Sequence, residues 1–239
     1  MSLATQLVPT AGQDLVGAAV AAISRHIRSA ELGPGDRLPS EADLGKSLGV
    51  SRTVVREALC SLSALRLVEL KAGKRATVAG LEHDAISLMI GHGVHTEQIS
   101  VHHIYDVRRC IETRTVVLAA LRRSDAEAEQ ILECAHALRN SVSDPGLSME
   151  HDLRMHQLIG QASRNPVFAL IISAFTDVTR QTWPIGWRSH TSNAERAAMA
   201  DLHVNIAQAI KDGDPAKAGE LMGLHFDDSI KALAAAGIS

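Results

Sequence analysis

The sequence predicts a mainly α-helical protein, in which a small helical domain with one β-hairpin precedes an all-α antiparallel helical bundle. Three observations support this fold class. Aromatic residues make up 3% of the 239 residues and hydrophobic residues 46%, so the cores must be aliphatic, which favours helices over a β-sandwich. Strand-like patterns occur between residues 68 and 78. Helical spacing recurs through nearly everything after residue 99.

Composition narrows the class of protein further. No run of 18 apolar residues is present, so we expect no membrane span, and the N-terminus lacks the basic and apolar segments of a secretion signal. Cys60, Cys110 and Cys134 are too few and too scattered for a disulfide framework or a cysteine-based zinc site. A cytoplasmic protein is therefore expected.

Charge is divided unevenly along the chain. Residues 1–80 carry 10 Lys and Arg against 7 Asp and Glu, whereas the remainder carries 14 against 20. A basic N-terminal segment joined to an acidic remainder is typical of a small nucleic-acid-binding module attached to another domain. The predicted domains are a flexible tail at residues 1–12, a DNA-binding domain at 13–80, a linker helix within 81–98 and a helical bundle at 99–239.

The first domain shows two short helices that are joined by a tight turn and followed by a hairpin. A preceding helix begins near Gln13 and ends at the Gly-Pro-Gly breaker of residues 33–35. Ser40 and Ser51 are natural N-caps for the next two helices, and Gly49 lies in the turn between them. This arrangement is a winged helix-turn-helix, which binds DNA. The predicted strands of the wing cover residues 68–71 and 76–78.

The second helix of the motif carries the residues expected of a recognition helix. Arg52 and Arg56 lie four residues apart, hence on one face, and arginine pairs with O6 and N7 of guanine. Leu59, Leu62 and Leu65 are expected to face the core. The alternative for the two arginines is a solvated helix face, which the neighbouring basic hairpin disfavours. The predicted DNA contacts are Ser51, Arg52, Thr53 and Arg56 in the helix, and Lys74 and Arg75 on the wing.

The second domain is predicted to be helical throughout. The linker helix is expected at residues 81–93, ended by Gly91 and Gly93, and a loop containing Pro, Gly and Trp is expected at residues 183–191. Six bundle helices are predicted, at residues 101–121, 126–138, 148–162, 166 to about 182, 195–211 and 215–236.

One set among the twelve histidines stands out. Asp152 and His156 are four residues apart in the third bundle helix, so both project from one face. His203 and His225 lie centrally in the fifth and sixth bundle helices. Each histidine alone is better explained as a buried core residue. Together, three imidazoles and one carboxylate on facing helices suit Zn, Ni or a similar divalent ion, with coordination positions left open.

Two segments resemble a known family. Gly-Pro-Gly-Asp-Arg-Leu-Pro-Ser-Glu-Ala-Asp-Leu (33–44) and Leu-Gly-Val-Ser-Arg-Thr-Val-Val-Arg-Glu-Ala-Leu (48–59) resemble the N-terminal signature of GntR-family regulators. The resemblance implies a homodimer on a palindromic DNA operator. Fatty-acid-responsive members also contact DNA through an Arg before the turn and a His at the wing tip, where this chain has Ala42 and Ala72. The operator sequence is therefore expected to differ.

The second domain carries a further resemblance. Tyr-Asp-Val-Arg-Arg-x-Ile-Glu (105–112), Asp-x-x-x-His (152–156), Asn-Pro (165–166) and one histidine in each of the last two helices resemble the FCD effector domain of the FadR subfamily. The resemblance implies that a divalent ion, commonly zinc, is held by Asp152, His156, His203 and His225. FCD domains that bind acyl-CoA lack this full set. Having all four argues against acyl-CoA here, and the resemblance implies a small carboxylate as effector, such as a hydroxy acid, sugar acid or dicarboxylate.

Three residues are candidates for contacting the effector. Arg108 is expected to face inward on the first bundle helix, where it suits bidentate pairing with a carboxylate. An ion pair with Glu112, four residues on, is an equal alternative for it. Arg188 lies in the loop predicted at residues 183–191, which is expected to close over the pocket unless its tryptophans belong to the core. Asn165 is the third candidate, with helix capping as its alternative.

Together these patterns predict a transcriptional regulator rather than an enzyme, and repression is the commoner behaviour in the family. Its DNA affinity is expected to change when the carboxylate binds at the metal and shifts the population of conformations. A DNA-binding regulator with a purely structural metal is the main alternative. A metal-dependent hydrolase is a remote one, because Asp and three His can activate water, but no carboxylate is placed as an obvious general base.

Overall fold

The computed structural model describes residues 14–238, so the predicted tail at residues 1–12 lies outside the described residues. The chain divides into two compact units between Ala85 and Ile86. The predicted fold class, mainly α with one small hairpin, is confirmed. No helix in the described part of the chain is long and apolar enough to cross a membrane. The elements are α1 (Leu15–Ser29), α2 (Glu41–Leu48), α3 (Arg52–Ala64), β1 (Val68–Glu69), β2 (Thr77–Val78), α4 (Asp84–His95), α5 (Val101–Arg122), α6 (Asp125–Asn140), α7 (Pro145–Ala162), α8 (Pro166–Ala174), α9 (Thr176–Ser189), α10 (Asn193–Asp212) and α11 (Pro215–Ala235).

Local signals form the helix-turn-helix of the first unit. The Ser40 side chain accepts a hydrogen bond from the Asp43 N–H at the start of α2 (3.2 Å), and the Ser51 side chain accepts one from the Val54 N–H in α3 (3.3 Å). Gly49 ends α2 in the left-handed region at φ 71°, which glycine adopts without strain. The predicted caps and turn are therefore present. The largest fully buried side chains of this unit are Ile23, Leu38, Leu44, Leu48 and Leu62.

The wing is better anchored than the sequence indicated. β1 and β2 pair antiparallel, with Val68 opposite Val78. The segment before α2 adds further bonds, because the Leu38 N–H donates to the Ala76 carbonyl and the Val78 N–H donates to the Asp36 carbonyl, both at 2.9 Å. Sequence patterns gave no sign of this additional pairing. It attaches the hairpin to the chain that leads into the helix-turn-helix.

One predicted core position in the first unit is wrong. Leu59 and Leu62 are buried as expected, but Leu65 is 52% exposed. α3 ends at Ala64, so Leu65 serves as its C-cap, and the chain then turns through Arg66 at φ 57°. The prediction extended the helical spacing one residue beyond the end of the helix, and this wrongly placed Leu65 on the buried face.

In the second unit α5 is central, packing against α7, α10 and α11, while α6 packs against α7 and α10. This arrangement brings the helices that carry the candidate metal ligands around one core. Ile90 and Val94 of α4 pack against a smaller cluster of Ile104, Phe175 and Val178. The main core includes Val116, Ala119, Ile131, Met155, Ile159, Ile206, Ile210 and Phe226.

The prediction for residues 166–191 is wrong in two respects. The helix that was expected to run to about residue 182 divides at Phe175, whose N–H donates to the Ile172 carbonyl three residues back and so tightens the turn. The loop expected at residues 183–191 is mostly helix, because α9 continues through Pro184. Trp183 and Trp187 are one helical turn apart and stack at 5.1 Å between ring centroids. This contact lies on the face of α9 that lines a cavity.

The linker helix begins later and ends later than the predicted residues 81–93, because α4 begins at Asp84. Gly91 and Gly93 do not end α4, which continues to His95. Gly93 is buried, and a Cβ atom there would lie 2.6 Å from Ile99 Cδ1. Glycine at this position allows close packing against Ile99, whose side chain would have to shift for any larger residue.

Candidate metal centre and adjoining cavity

Four buried polar side chains from three helices meet inside the second unit. Asp152 and His156 lie one turn apart on α7, His203 lies near the middle of α10 and His225 near the middle of α11. One potential ligand atom from each residue lies within 4.8 Å of the others. The four side chains are between 1% and 9% exposed. The structure thus brings together the residues that the sequence singled out as metal ligands.

Hydrogen bonds fix the orientation of two of the imidazoles. His203 Nδ1 donates to the Met199 carbonyl (2.9 Å), and His156 Nδ1 donates to the Glu112 carboxylate. A neutral imidazole carries one proton, so each Nε2 atom then presents a lone pair. Asp152 Oδ1 lies 2.7 Å from His203 Nε2 and 3.8 Å from His156 Nε2. Two nitrogens and one oxygen therefore converge on one small region.

The Nε2 atoms of His156 and His203 could each bind a further partner. Both are buried and, within the described residues, lack an aligned hydrogen bond, although His203 Nε2 lies close to Asp152. A buried polar atom left unpaired costs about 1–3 kcal/mol. Zinc takes nitrogen and oxygen ligands at about 2.0–2.2 Å, which places neighbouring ligand atoms about 3 Å apart. The donor set and its spacing fit a divalent ion.

Electrostatics favour the metal-binding protonation states of Asp152 and His225, but not that of His203. Burial opposes ionisation of Asp152, but hydrogen bonding to His203 and attraction by the imidazoles outweigh burial and lower the pKa of its carboxyl. Burial, together with the charges of His203 and His156, lowers the pKa of His225 well below its ordinary value. For His203 the Asp152 carboxylate outweighs burial and raises the pKa, so a proton and a cation compete for His203 Nε2.

A buried ion pair between Arg108 and Glu112 contacts the cluster through His156. Arg108 Nε donates to Glu112 Oε1 (2.7 Å), and the other carboxylate oxygen of Glu112 accepts from His156. Burial raises the pKa of Glu112, but the charges of Arg108 and His156 outweigh it and lower the pKa. Arg108 Nη1 also donates to the Thr179 hydroxyl (3.0 Å), and the guanidinium lies 5.1 Å from the ring centroid of Phe226. Several contacts thus hold the Arg108 side chain in one orientation.

A cavity of about 60 Å³ adjoins the cluster, and its walls include Asp152, His225 and Arg108. Both sequence interpretations of Arg108 are therefore compatible with its position, since it forms the ion pair and also faces the cavity. A water-sized site needs about 10–15 Å³ by this kind of measure, so the space suits a small molecule. Trp183 and Trp187 form its aromatic wall. Other polar residues in the wall are Tyr105, Thr179, Thr182, His190, Asp228 and Ser229.

The other two candidate effector contacts lie elsewhere. Arg188 is exposed on α9 and is not among the described residues that line this cavity. Asn165 is the N-cap of α8, where its Oδ1 accepts from the Val167 N–H (3.0 Å), which matches its capping alternative. The structure therefore places neither side chain in the wall of the cavity beside the cluster.

Sequence reasoning missed two polar residues of the cavity. Asp228 and His190 both line it, and His190 Nε2 lies 3.3 Å from Asp228 Oδ2. His190 had no obvious partner because Asp228 is 38 residues away. The available signal was the position of Asp228 one helical turn after His225, which places both on neighbouring parts of one helix face.

The candidate DNA contacts lie exposed on the first unit. Arg52 and Arg56 project from the first turns of α3, and the Arg52 side chain is 75% exposed, 4.0 Å from Glu41. The wing turn contains Gly73 at φ 70°. Exposed cations near a helix N-terminus and on a wing are suited to DNA phosphates and base edges. Ser51, Thr53, Lys74 and Arg75 are exposed as well.

Two family models match the chain. The model of bacterial regulatory proteins of the gntR family matches residues 15–78, which include the helix-turn-helix and wing. The FCD domain model matches residues 103–228, which include all four members of the buried cluster. The matches fall on the two parts of the chain that the sequence resemblances indicated.

Curated relatives match over most of the chain. HTH-type transcriptional regulator LutR of Bacillus subtilis is 30% identical over 204 residues, covering 84% of this chain and 92% of the relative. HTH-type transcriptional repressor NanR of Cronobacter sakazakii is 28% identical over 213 residues, covering 86% of this chain and 80% of the relative. Among solved structures, Streptococcus agalactiae GntR aligns with a TM-score of 0.67 at 20% identity, covering 90% of this chain and 99% of that one. This last similarity shows a shared fold.

Proposed function

The chain belongs to the GntR family of bacterial regulatory proteins and carries an FCD domain, and on that premise we propose that it is a cytoplasmic, homodimeric repressor controlled by a metal-bound small carboxylate. Its family and the names of its relatives identify a DNA-binding transcriptional regulator rather than an enzyme. The direction of control follows the relative NanR, which is named a repressor. A homodimer on a palindromic operator is the family expectation for this DNA-binding domain.

One observation carries the metal part of the proposal: two buried Nε2 atoms, of His156 and His203, converge with the Asp152 carboxylate and have no aligned partner among the described residues. His225 completes the set of four. We assign the site to zinc, with nickel as the alternative, because three imidazoles and one carboxylate suit either ion. A purely structural site would be closed on all sides, whereas Asp152 and His225 also line a cavity.

The cavity supports a small carboxylate as effector. A bound divalent ion supplies positive charge for a carboxylate oxygen, and the Arg108 guanidinium in the cavity wall adds directional hydrogen-bond donors. The ion pair to Glu112 and the bond to Thr179 hold Arg108 in place before the ligand arrives. The modest volume disfavours a long acyl chain.

The metal assignment is tested by metal analysis of dialysed protein. We expect about one zinc or nickel ion per chain in the wild type, as four protein ligands imply, and a large loss in His203→Ala and His225→Ala. His136→Ala is the matched control, because His136 is exposed on α6 outside the cluster. Unchanged metal content in both cluster variants would refute the ligand assignment.

The regulatory function is tested with a fluorescent operator. Hydroxy acids, sugar acids and dicarboxylates are titrated against the protein–DNA complex with and without a chelator. We expect an effective acid to weaken DNA binding by about 5- to 150-fold, the usual range of allosteric coupling, and the chelator to abolish that effect while the protein stays folded by circular dichroism. If no acid changes DNA affinity and the chelator merely unfolds the protein, the metal is structural and the effector hypothesis fails.

A further inference from the structure

Asp228, whose side chain is 55% exposed, places a second negative charge in the wall of the cavity on its solvent-facing side. The wall follows α11 from His225 through Asp228 and Ser229 to Leu233, so the cavity extends along this helix away from the cluster. Asp228 lies one helical turn beyond His225, where side chains are neighbours at about 5–6 Å between Cβ atoms. It does not belong to the four-residue cluster. Any ligand anchored at the cluster and extending along α11 therefore meets this carboxylate.

Positive charge in the cavity is confined to the other end. Among the described residues that line it, Arg108 is the one arginine, and lysine is absent. Arg108 is paired with Glu112, whose second oxygen binds His156, so its charge lies beside the cluster. A second carboxylate on the ligand would face Asp228, and Arg196, whose guanidinium lies over the Trp187 ring (4.8 Å from the centroid), is not among the described residues that line the cavity.

The hydroxyl groups of the wall present hydrogen-bond acceptors, whereas the indole N–H groups of Trp183 and Trp187 are donors. The Ser229 hydroxyl donates to the His225 carbonyl (2.9 Å), and the Thr182 hydroxyl donates to the Val178 carbonyl (3.0 Å). Because the Thr182 proton is committed to the backbone, the Tyr105 hydroxyl donates to Thr182 (3.1 Å). The Ser229 and Tyr105 oxygens therefore remain as acceptors, which require donors from the ligand.

His190 strengthens this requirement. Its Nδ1 donates to the Gly186 carbonyl (2.9 Å), so in the neutral ring Nε2 is an acceptor that lies 3.3 Å from another acceptor, Asp228 Oδ2. A hydroxyl group can donate to either atom. If the His190 ring is protonated, Asp228 already neutralises its positive charge. No positive charge then remains to pair with a second carboxylate of the ligand. Trp183 contributes apolar surface to the wall for the carbon chain of such a ligand, whereas the Trp187 ring is stacked on Trp183 and has the Arg196 guanidinium over it, 4.8 Å from the ring centroid.

We infer that Asp228 selects effectors that carry one carboxylate and several hydroxyl groups and excludes dicarboxylates of equal length. This inference rests on the proposed function, in which the first carboxylate binds at the metal. The sequence left hydroxy acids, sugar acids and dicarboxylates as equal choices. A charged acceptor opposite the ligand's far end, with acceptor oxygens around it, removes the dicarboxylates from that set.

The test compares acids that differ at one end. Glycerate is paired with tartronate, threonate with tartrate, and gluconate with glucarate, using full-length protein that is metal-loaded and dialysed free of excess metal. Trp183 and Trp187 are the two tryptophans of the chain and both line the cavity, so intrinsic fluorescence reports binding there, and calorimetry confirms it. We expect at least one hydroxylated monoacid to bind about fivefold more tightly than its diacid, which is the upper range for a charge interaction at a half-exposed side chain such as Asp228.

Two variants assign the preference to one side chain. Asp228→Asn keeps the shape and removes the charge, and we expect it to reduce the discrimination to about twofold or less, as the loss of a like-charge contact implies. Asp227→Asn is the matched control, because Asp227 is the adjacent residue, pairs with Arg109 (2.7 Å) and is not among the described cavity-lining residues. It should retain the wild-type discrimination. Metal content is measured in every sample.

Each outcome has a defined meaning. If diacids bind as tightly as their monoacid partners, the inference fails while the proposed function stands. If the preference persists in Asp228→Asn, the assignment to Asp228 is wrong. Tighter binding of serine or β-alanine than of any hydroxy acid would overturn the choice of hydroxyl groups in favour of an ammonium group. If no acid binds the metal-loaded wild type, the proposed function fails and this inference fails with it.

Discussion

The two units place their charged residues in opposite ways. In the first unit the arginines of α3 are exposed, with Arg52 at 75% of its side-chain surface, whereas in the second unit Arg108, Glu112 and Asp152 are nearly fully buried. DNA is bound by neutralising phosphates at a surface, so such side chains remain solvated until the duplex arrives. A small ligand is bound by a few groups that are fixed beforehand. Substitutions of the exposed α3 arginines should therefore affect binding alone, whereas substitutions of the buried charges in the second unit should affect binding together with stability.

The largest effect is expected from Glu112→Ala. This change leaves the Arg108 guanidinium buried with one fewer partner and removes the acceptor that orients His156. Removing one member of a buried ion pair typically costs about 3–5 kcal/mol. We expect a loss of that size in the free energy of unfolding of the second unit, measured by urea denaturation.

Glu150→Ala is the matched control for this prediction. Glu150 also pairs with an arginine, Arg180, but the two side chains are 53% and 43% exposed. Exposed ion pairs contribute about 0–1 kcal/mol, so this variant should unfold almost as the wild type does. Equal losses in the two variants would show that burial of the Glu112 pair has no energetic consequence.

The first unit should behave in the opposite manner. Arg56→Ala is expected to weaken operator binding by about 1–3 kcal/mol, the usual value of an arginine–base contact, and to change stability by no more than about 0.5 kcal/mol, as surface substitutions do. Fluorescence anisotropy and urea denaturation measure the two quantities. Arg154→Ala, an exposed arginine on α7, is the control that should change neither. A loss of stability in Arg56→Ala would place this side chain in the fold and not at the DNA.

A milder change at Glu112 separates its effect on the metal from its effect on the fold. Glu112→Gln keeps the size of the side chain but weakens the acceptor for His156 Nδ1, which is the hydrogen bond that orients this candidate ligand. Substituting the hydrogen-bond partner of a metal-binding histidine typically lowers metal affinity by about 10- to 100-fold. We expect a decrease of that order in competition with a chromophoric chelator, at a temperature where the protein stays folded. Glu150→Gln should leave metal affinity unchanged.

The sequence predicted what local patterns and short spacings encode. The caps at Ser40 and Ser51 and the turn at Gly49 depend on residues within three or four positions, so each was visible in the chain itself. The cluster was found because Asp152 and His156 are one helical turn apart and because a family motif linked them to two distant histidines. Its convergence in space could not follow from spacing alone.

What escaped prediction depends on contacts between distant segments. The bond from His156 to Glu112 joins residues 44 positions apart, and Asp228 meets His190 across 38. Pro184 was taken as a helix breaker, yet α9 continues through it. A proline signals where a backbone N–H is missing, but tertiary packing decides whether the helix ends there.

The smallest effect tests the first unit's reliance on local bonds. α2 has eight residues, too few for an isolated helix to be stable in water, and the Ser40 hydroxyl satisfies the N–H of Asp43 at its start. Ser40→Ala should cost about 0.5–2 kcal/mol through loss of this cap, seen as faster hydrogen exchange of the α2 amides. Ser61→Ala is the control, since Ser61 only donates to the Glu57 carbonyl within α3, and alanine favours that position. If the two variants exchange alike, the cap is dispensable, and the first unit, like the second, depends mainly on its buried residues.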